Sequence, residues 1–176
     1  MLIKLEKIEN KNIINFYLPK EIIPENKILL SDTNECFEEN FVSSIQNVAG
    51  VLRTLITPNF ISVVFDDKKN LDTGKSLILA EIDDFVSSNQ LLNIIENKNT
   101  PLEVADALAD ALIRPILNKD NGDIIFKSYS NGIISLQFTG KCSGCPYAQN
   151  TLNNIIIKNL IKYIPEIKQV QLVGNT

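Results

Sequence analysis

The 176-residue chain contains no histidine and no tryptophan, and it has only three cysteines. Without histidine, the chain cannot form catalytic centres of the Ser-His-Asp or Cys-His type, and it cannot supply the histidine ligands of zinc, haem or Rieske sites. Three cysteines are also too few for the disulfide framework of a small secreted domain. These absences exclude several of the commonest catalytic and metal-binding classes.

Long apolar runs are absent as well. Apolar runs such as Ile155–Ile157 fall far short of the roughly 20 residues that a membrane-spanning helix needs. The first eight residues show neither the apolar core and cleavage site of a secretory signal nor the Arg- and Ser-rich composition of a transit peptide. We therefore expect a bacterial-type cytoplasmic protein with no membrane partner.

The sequence has no excess of positive charge. Residues 1–100 carry 10 Lys and Arg against 15 Asp and Glu, a net charge of −5, and residues 101–176 carry 7 against 6, a net charge of +1. Nucleic-acid surfaces need clustered positive charge facing the phosphates, so we expect no nucleic-acid partner. The content of 44% apolar and 22% charged residues is typical of a folded globular protein.

Residues 1–92 predict a small α+β domain with a ββαββα-like order. The alternation of apolar and polar residues predicts strands, and apolar residues on one helical face predict two helices. Gly50 is predicted to cap the first helix, and the second is predicted to end at Ser87 or to continue through residues 91–95. The predicted elements are a hairpin over 2–18, a short strand at 28–30, a helix over 35–47, strands over 51–56 and 60–65, and a helix from Leu71 or Lys75.

Residues 93–100 are predicted as a linker, and residues 101–176 as a second α+β domain of order αββαβ. Thr100 and Glu103 have the spacing of a capping box for a helix that Pro115 should kink or end. Asn131-Gly132 is a strong signal for a two-residue hairpin turn. The predicted elements are a helix from Pro101, strands over 124–129 and 133–138, a helix from Pro146 to Ile164 and a strand over 167–173.

Cys142-Ser143-Gly144-Cys145 is the motif that carries chemistry. Two intervening residues allow both sulfurs to bind one metal or cluster edge, and they also allow a disulfide. Pro146 suits the first turn of a helix, so Cys145 is predicted at a helix N-terminus, where the helix dipole favours the thiolate. We therefore expect two exposed, ionised thiolates. Lys141 either supports an anionic ligand beside them or is a solvated surface residue.

The ligand count favours an iron–sulfur cluster over a zinc ribbon. The only other cysteine, Cys36, lies 106 residues before Cys142 and is predicted to be a buried, inert thiol on a helix face. Iron–sulfur clusters are held mainly by four thiolates. One chain supplies two here, so two chains facing each other would complete the set. Both 2Fe–2S and 4Fe–4S clusters accept four thiolates, so the cluster type stays open.

Two other functions remain as alternatives. The first is a thiol–disulfide oxidoreductase in which Cys142 attacks and Cys145 resolves the mixed disulfide. The motif does not follow the first strand of a βαβ unit, as it would in a thioredoxin-like protein. The second is an adaptor whose N-terminal domain binds client proteins.

Three segments of the chain resemble the C-terminal domain of NifU, known as the Nfu domain. They are Arg114–Phe126, Gly140–Pro146 and Ile164–Val170, and the resemblance covers about residues 101–174. The family's Asp-Gly-Gly-Asp is replaced by Asp120-Asn121-Gly122-Asp123, and asparagine tolerates the positive φ that such a turn requires. The first ninety residues are also similar to the N-terminal domain of Nfu-type proteins, at Gly50-Val51 and Asn59–Val63. The family's Thr-Pro-Asn-Pro stretch is replaced here by Glu9–Asn12.

The resemblance implies a non-enzymatic scaffold or carrier for iron–sulfur cluster assembly. It implies that Cys142 and Cys145 of two protomers bind one 4Fe–4S cluster and that this cluster is passed to apo-proteins. The implied partners are a second copy of the chain, apo iron–sulfur client proteins and upstream assembly proteins.

Four other groups of residues receive structural predictions. Asp120 and Asp123 are predicted to form local hydrogen bonds at a turn. Tyr147 is predicted to pack beside the loop or to shield a cluster. The apolar residues of Leu152–Ile164 are predicted to be core, and the glutamates at positions 35, 38 and 39 are predicted to be solvated.

Overall fold

The computed structural model describes residues 2–8, 11–32, 40–93, 99–143, 146, 150 and 152–174. The chain divides into two compact units, Met1–Asn97 (unit 1) and Lys98–Thr176 (unit 2). Each combines helices with a sheet, so the predicted α+β class is confirmed. Most of the predicted linker over 93–100 lies outside the described residues, as do Cys36, Cys145, Tyr147 and the three glutamates. Within the described ranges, every helix is too short or too polar to cross a bilayer.

Unit 1 is built on a five-stranded antiparallel sheet in the order β1-β2-β5-β4-β3. The predicted strands and their order along the chain are confirmed. The elements are β1 (Lys4–Ile8), β2 (Ile13–Tyr17), β3 (Leu29–Asp32), α1 (Asn40–Gln46), β4 (Val51–Ile56), β5 (Phe60–Phe65) and α2 (Lys68–Ser87).

The core of unit 1 contains apolar side chains from one face of this sheet and from α2. Ile14 and Val63 are cross-strand partners on β2 and β5 and are buried in the same cluster as Ile78 and Ile82 of α2. Full burial of such a side chain stabilises the fold by roughly 1.5–3 kcal/mol relative to exposure. The apolar positions on one side of the predicted alternation therefore form a buried sheet face, although Ile13 and Asn15 of β2 are buried as well.

The boundaries of α2 differ from the prediction at its start. Asp67 caps the helix, because its carboxylate accepts a hydrogen bond from the Asn70 amide at 2.7 Å, and this cap allows the helix to begin before Leu71. The predicted end at Ser87 is confirmed, whereas the alternative of a helix continuing through 91–95 is wrong for residues 91–93. Asn89 takes a left-handed conformation with φ 57°, which ends the helical path.

Gly50 has a different role from the predicted helix cap. The first helix ends at Gln46, and Gly50 lies in the turn that leads into β4, with φ 81°. Its carbonyl accepts a hydrogen bond from the Asp66 amide at 2.8 Å. The glycine therefore serves the junction between β4 and the end of β5, where a positive φ is needed.

Unit 2 contains a three-stranded sheet in the order β6-β7-β8. β6 and β7 pair antiparallel, and β7 and β8 pair parallel. The elements are α3 (Pro101–Leu108), a π-helical turn (Ala109–Ile113), α4 (Arg114–Leu117), a 3₁₀ turn (Asn118–Asp120), β6 (Gly122–Ser130), β7 (Ile133–Gly140), a second π-helical segment (Leu152–Ile157), α5 (Lys158–Tyr163) and β8 (Gln169–Leu172).

Two local predictions for unit 2 are confirmed: the capping box at the start of α3 and the two-residue turn between β6 and β7. Thr100 and Glu103 form the capping box: the Glu103 amide donates to the Thr100 hydroxyl at 3.3 Å, and the Thr100 amide donates to the Glu103 carboxylate at 2.7 Å. Asn131 and Gly132 both have positive φ, 50° and 83°, as a two-residue turn of the type I′ kind requires.

Pro115 lies within the helical segment, which continues beyond it. Its ring would collide with the carbonyl four residues earlier in a regular α-helix, and it has no amide to donate. The chain instead widens into the π-helical turn just before it, where the Arg114 amide donates to the Ala109 carbonyl. The helical path therefore continues to Leu117. Of the two predicted alternatives, an end at Pro115 is wrong, whereas the regular α-helix is interrupted just before this residue.

Candidate functional site

The loop that bears Cys142 begins at the end of β7 and lies against the turn that opens β6. Asn121 stands at that turn with φ 54°, so the predicted tolerance of positive φ at this position is confirmed. Its carbonyl accepts a hydrogen bond from the Lys141 amide at 3.0 Å. The turn and the cysteine loop are thus joined through backbone groups.

Gly140 and Gly122 are cross-strand partners at the paired ends of β7 and β6. Gly140 has φ 60°, and a Cβ added to it would lie 2.3 Å from the carbonyl oxygen of Asn121. A side chain there would therefore be strained by both conformation and contact. This glycine allows the two strand ends to approach each other beside the loop.

Gly122 provides the surface on which the Cys142 thiol packs. A Cβ added to Gly122 would lie 2.0 Å from Cys142 Sγ and 3.0 Å from Cys142 Cβ, both far closer than atoms in van der Waals contact. Gly122 is not among the residues with positive φ, so a side chain here would displace the Cys142 sulfur rather than strain the backbone. The position of the sulfur thus depends on a bare α-carbon.

Cys142 is partly buried, while its neighbours Lys141 and Ser143 are exposed. The Ser143 amide donates to the Gly140 carbonyl at 3.1 Å, which closes a tight turn around the cysteine. The prediction of an exposed thiol is therefore met only in part at Cys142, because one side of the sulfur rests on Gly122. Its other surroundings include two exposed polar residues.

Arg114 gathers three carboxylates beside this turn. Its guanidinium lies 2.6 Å from Asp106, 3.2 Å from Asp110 and 3.1 Å from Asp123, measured nitrogen to oxygen. It also donates to the backbone carbonyls of Asp106 and Ile124, each at 3.2 Å. Only 11% of its side chain is exposed. The guanidinium therefore links the first helical segment to the start of β6.

The charges around Arg114 outweigh the effect of its burial. Burial alone would lower the pKa of the guanidinium, but the hydrogen bond to Asp106 and the charges of Asp106, Asp110 and Asp123 raise the pKa above its ordinary value. Arg114 therefore remains protonated, as arginine does in proteins generally. Its role is to hold groups in place rather than to exchange protons.

Two of the groups that were predicted to be structural lie among the described residues. Asp123 accepts hydrogen bonds from Arg114 and from the Ile124 amide, and Asp120 is exposed in the 3₁₀ turn. The apolar stripe of the last helical segment is core, with Leu152, Ile156, Leu160 and Ile164 all buried.

Sequence analysis did not recognise the roles of Gly122 and Arg114. Both lie within the segment Arg114–Phe126 that carries the resemblance to the Nfu domain, but that resemblance assigned no role to either residue. Arg114 stands directly before Pro115, and its spacing from Asp110 is the helical i,i+4 spacing that predicts an ion pair.

Comparison with known proteins shows a NifU-like domain in this part of the chain. Residues 104–171 match the family model of the NifU-like domain. The chain is 28% identical over 97% of its length to NifU-like protein 4, mitochondrial, of Arabidopsis thaliana. It is 32% identical over 72% of its length to the NFU1 iron-sulfur cluster scaffold homolog, mitochondrial, of Drosophila willistoni, and 28% identical over 98% to the protein of that name from Homo sapiens.

The fold and these similarities define a NifU-like α+β protein. The chain belongs to the Nfu type, and its NifU-like domain lies in unit 2. It spans 65% of the length of the Arabidopsis relative, 47% of the Drosophila relative and 72% of the human one.

The predicted bacterial-type cytoplasmic location is wrong in the light of these relatives, because all three are named as mitochondrial proteins. The prediction depended on the composition of the first residues. Targeting segments are removed from mature proteins and are separate from the fold, so the folded part of a sequence carries little information about location.

Proposed function

We propose that this protein is a scaffold that carries an iron–sulfur cluster and delivers it to apo-proteins. Cys142 and Cys145 of each protomer supply two thiolates, and a second copy of the chain supplies the other two. The cluster is of the 4Fe–4S type. It is cargo rather than a resident cofactor, so the chain acts by binding and release and not as an enzyme.

The observation that carries the proposal is the position of the CxxC motif within the NifU-like residues. Those residues, 104–171, contain no cysteine other than Cys142 and Cys145 and no histidine. Cluster iron prefers thiolate ligands. Two thiolates per chain and a requirement for four favour a cluster shared between two copies.

The surroundings of Cys142 support both capture and release. The partly buried sulfur rests on Gly122, which restricts its positions, and the exposed Lys141 and Ser143 leave the loop open to a partner. The exposed ammonium of Lys141 favours an anionic cluster and the ionised form of a neighbouring thiol. A preorganised but accessible thiolate suits a ligand that must also leave.

Delivery then proceeds by thiolate exchange. At each step an iron–sulfur bond to Cys142 or Cys145 breaks, and a bond from the same iron to a client cysteine forms. The proton released by the client thiol passes to the departing cysteine. No electron is transferred, so the oxidation state of the cluster is unchanged and no further reactant is needed.

Anaerobic native mass spectrometry after reconstitution with iron and sulfide tests this proposal. We expect a dimer that carries four irons and four sulfides, the composition of one shared 4Fe–4S cluster. Cys142→Ala and Cys145→Ala should each abolish cluster binding and dimerisation. Cys36→Ala is the matched control, since it removes a thiol of unit 1, and should leave both unchanged.

Other outcomes would contradict the proposal. A cluster that survives Cys142→Ala or Cys145→Ala would exclude these ligands. A dimer with two irons and two sulfides would replace the 4Fe–4S type by 2Fe–2S. A monomer without iron, whose two loop cysteines oxidise reversibly and reduce a model disulfide, would favour the thiol–disulfide oxidoreductase.

A further inference from the structure

We propose that Arg114 and Asp123 act as a positioning pair for the Cys142 thiol, through the backbone of Gly122. The inference rests on the proposed function for the importance of this thiol, but its geometry is independent of any bound cluster. Neither side chain is proposed as a ligand. The pair determines where the sulfur lies.

The first step is the bridge between helix and strand. Arg114 Nη2 contacts Asp106 Oδ1 at 2.6 Å on the helical side, while Nε contacts Asp123 Oδ1 at 3.1 Å and Nη2 donates to the Ile124 carbonyl at 3.2 Å on the strand side. A planar guanidinium can bind both sides at once in a defined geometry. The start of β6 is thereby fixed to the helical segment.

The second step is the fixation of the backbone next to the cysteine loop. Asp123 Oδ1 also accepts a hydrogen bond from the Ile124 amide at 2.7 Å. One carboxylate oxygen therefore binds the guanidinium and its own strand. Gly122 precedes Asp123 directly, so the same contacts restrain the α-carbon on which Cys142 Sγ rests.

The third step separates positioning from stability. The Asp123 side chain is 47% exposed, and ion pairs that are open to water contribute little to the free energy of unfolding. Arg114 keeps Asp106 and Asp110 as partners when Asp123 is removed. Loss of the Asp123 carboxylate should therefore move the turn more than it destabilises the fold.

Alkylation of Cys142 in the apo-protein tests the inference without a cluster. The parent is the full chain with Cys36→Ser and Cys145→Ser, so that iodoacetamide reports only on Cys142. We expect Asp123→Ala to increase the alkylation rate several-fold, because the sulfur loses its fixed support. Asp123→Asn should restore the parental rate, since its amide oxygen can accept both hydrogen bonds.

A matched control comes from unit 1. Arg53 Nε contacts Asp32 Oδ1 at 2.8 Å, so Asp32→Ala removes a similar partly exposed ion pair. This variant should leave the alkylation rate of Cys142 unchanged. Equal acceleration by Asp32→Ala and Asp123→Ala would indicate general loosening and would overturn the inference, as would a parental rate in Asp123→Ala.

Reconstitution of the cysteine-intact chain then links the pair to cargo binding. Asp123→Ala should lower the affinity for the cluster by about tenfold or more, the range expected when the partners of metal ligands are lost. If the parent itself binds no cluster, the proposed function fails, while the alkylation rates still decide the positioning role. Should Asp123→Ala not fold, Arg114→Lys serves instead, because a single ammonium cannot bind both sides and should accelerate alkylation in the same way.

Discussion

The ion pairs of the two units differ in burial and in arrangement. In unit 1, Arg53 pairs with Asp32, and Asp72 pairs with Lys7 and Lys75, and all of these side chains are 39–50% exposed. In unit 2, three carboxylates converge on Arg114, whose side chain is 11% exposed. Exposed pairs contribute little to stability, whereas a half-buried network restrains geometry. Unit 2 therefore uses charge to hold a particular arrangement beside the cysteine loop.

Helical regularity shows the same contrast. The α2 helix of unit 1 runs for 20 residues without interruption, whereas both longer helical segments described in unit 2 contain a π-helical stretch. Such stretches are less stable than regular helix and are frequent at functional sites. Asn121 and Gly140, both with positive φ, lie beside the cysteine loop, where the proposed function needs a fixed thiol.

The largest expected effect comes from filling the space above Gly122. Gly122→Ala would place a methyl group 2.0 Å from Cys142 Sγ, so the sulfur must move. We expect the iron bound per protomer after anaerobic reconstitution to fall by about tenfold or more, with the unfolding of unit 1 unchanged. Gly174→Ala is the control, because an added Cβ there has no neighbour within 4 Å. Parental iron content in Gly122→Ala would show that the thiol position is not critical.

The next largest effect concerns the core of unit 1 and leaves the site untouched. Ile78 is fully buried in α2, so Ile78→Ala should lower the free energy of unfolding by about 2–5 kcal/mol. Its neighbour Leu77 is 61% exposed, and Leu77→Ala should change it by less than about 0.5 kcal/mol. Denaturant titration measures both. Under native conditions Ile78→Ala should still bind iron. Loss of iron binding would show that cluster binding by the cysteines of unit 2 depends on the core of unit 1.

A smaller effect is expected at the first helix of unit 2. Thr100→Ala removes the hydroxyl that accepts from the Glu103 amide and should lower the free energy of unfolding by about 1 kcal/mol. Thr100→Ser keeps the hydroxyl and should stay close to the parent. Thermal unfolding followed by circular dichroism tests both. Equal stability of the two variants would mean that the capping box contributes nothing.

The sequence predicted those features that depend on neighbouring residues. The capping box of Thr100 and Glu103 and the turn at Asn131-Gly132 each lie within a few positions of the chain, and the structure confirms both. The contact between Gly122 and Cys142 could not be predicted in this way, because it arises only when the ends of β6 and β7 pair. The widened turn before Pro115 likewise depends on how the surrounding segment accommodates that ring.

The candidate site was predicted through its motif and its resemblance to a family, not through its geometry. The motif indicated Cys142 and Cys145 as ligands, and this assignment stays a prediction. The Arg114 network joins residues from a helical segment and a strand, so no local pattern reveals it. What the sequence shows is the chemistry of a thiol pair. What the fold adds is the means of placing one of those thiols.

The smallest expected effect sharpens the contrast in ion pairs. Asp72 accepts a hydrogen bond from Lys7 Nζ at 3.1 Å, and this bond, together with the charges of Lys7 and Lys75, lowers the pKa of Asp72 below its ordinary value of 3.8 despite an opposing effect of burial. A lowered pKa contributes stability that is present above the unfolded value and is lost as the pH falls through the folded value. Lys7→Met should therefore raise the pKa of Asp72 towards 3.8 in a carboxyl titration by nuclear magnetic resonance.

Lys4, on the same strand and exposed, provides the control for this last change. Lys4→Met should leave the pKa of Asp72 where it is, because the groups that lower it are Lys7, Lys75 and Lys68. Neither variant should alter iron binding or the alkylation rate of Cys142, since a water-exposed pair is screened and restrains little. An effect of Lys7→Met on the cysteine loop as large as that of Asp123→Ala would remove the distinction between the two kinds of ion pair.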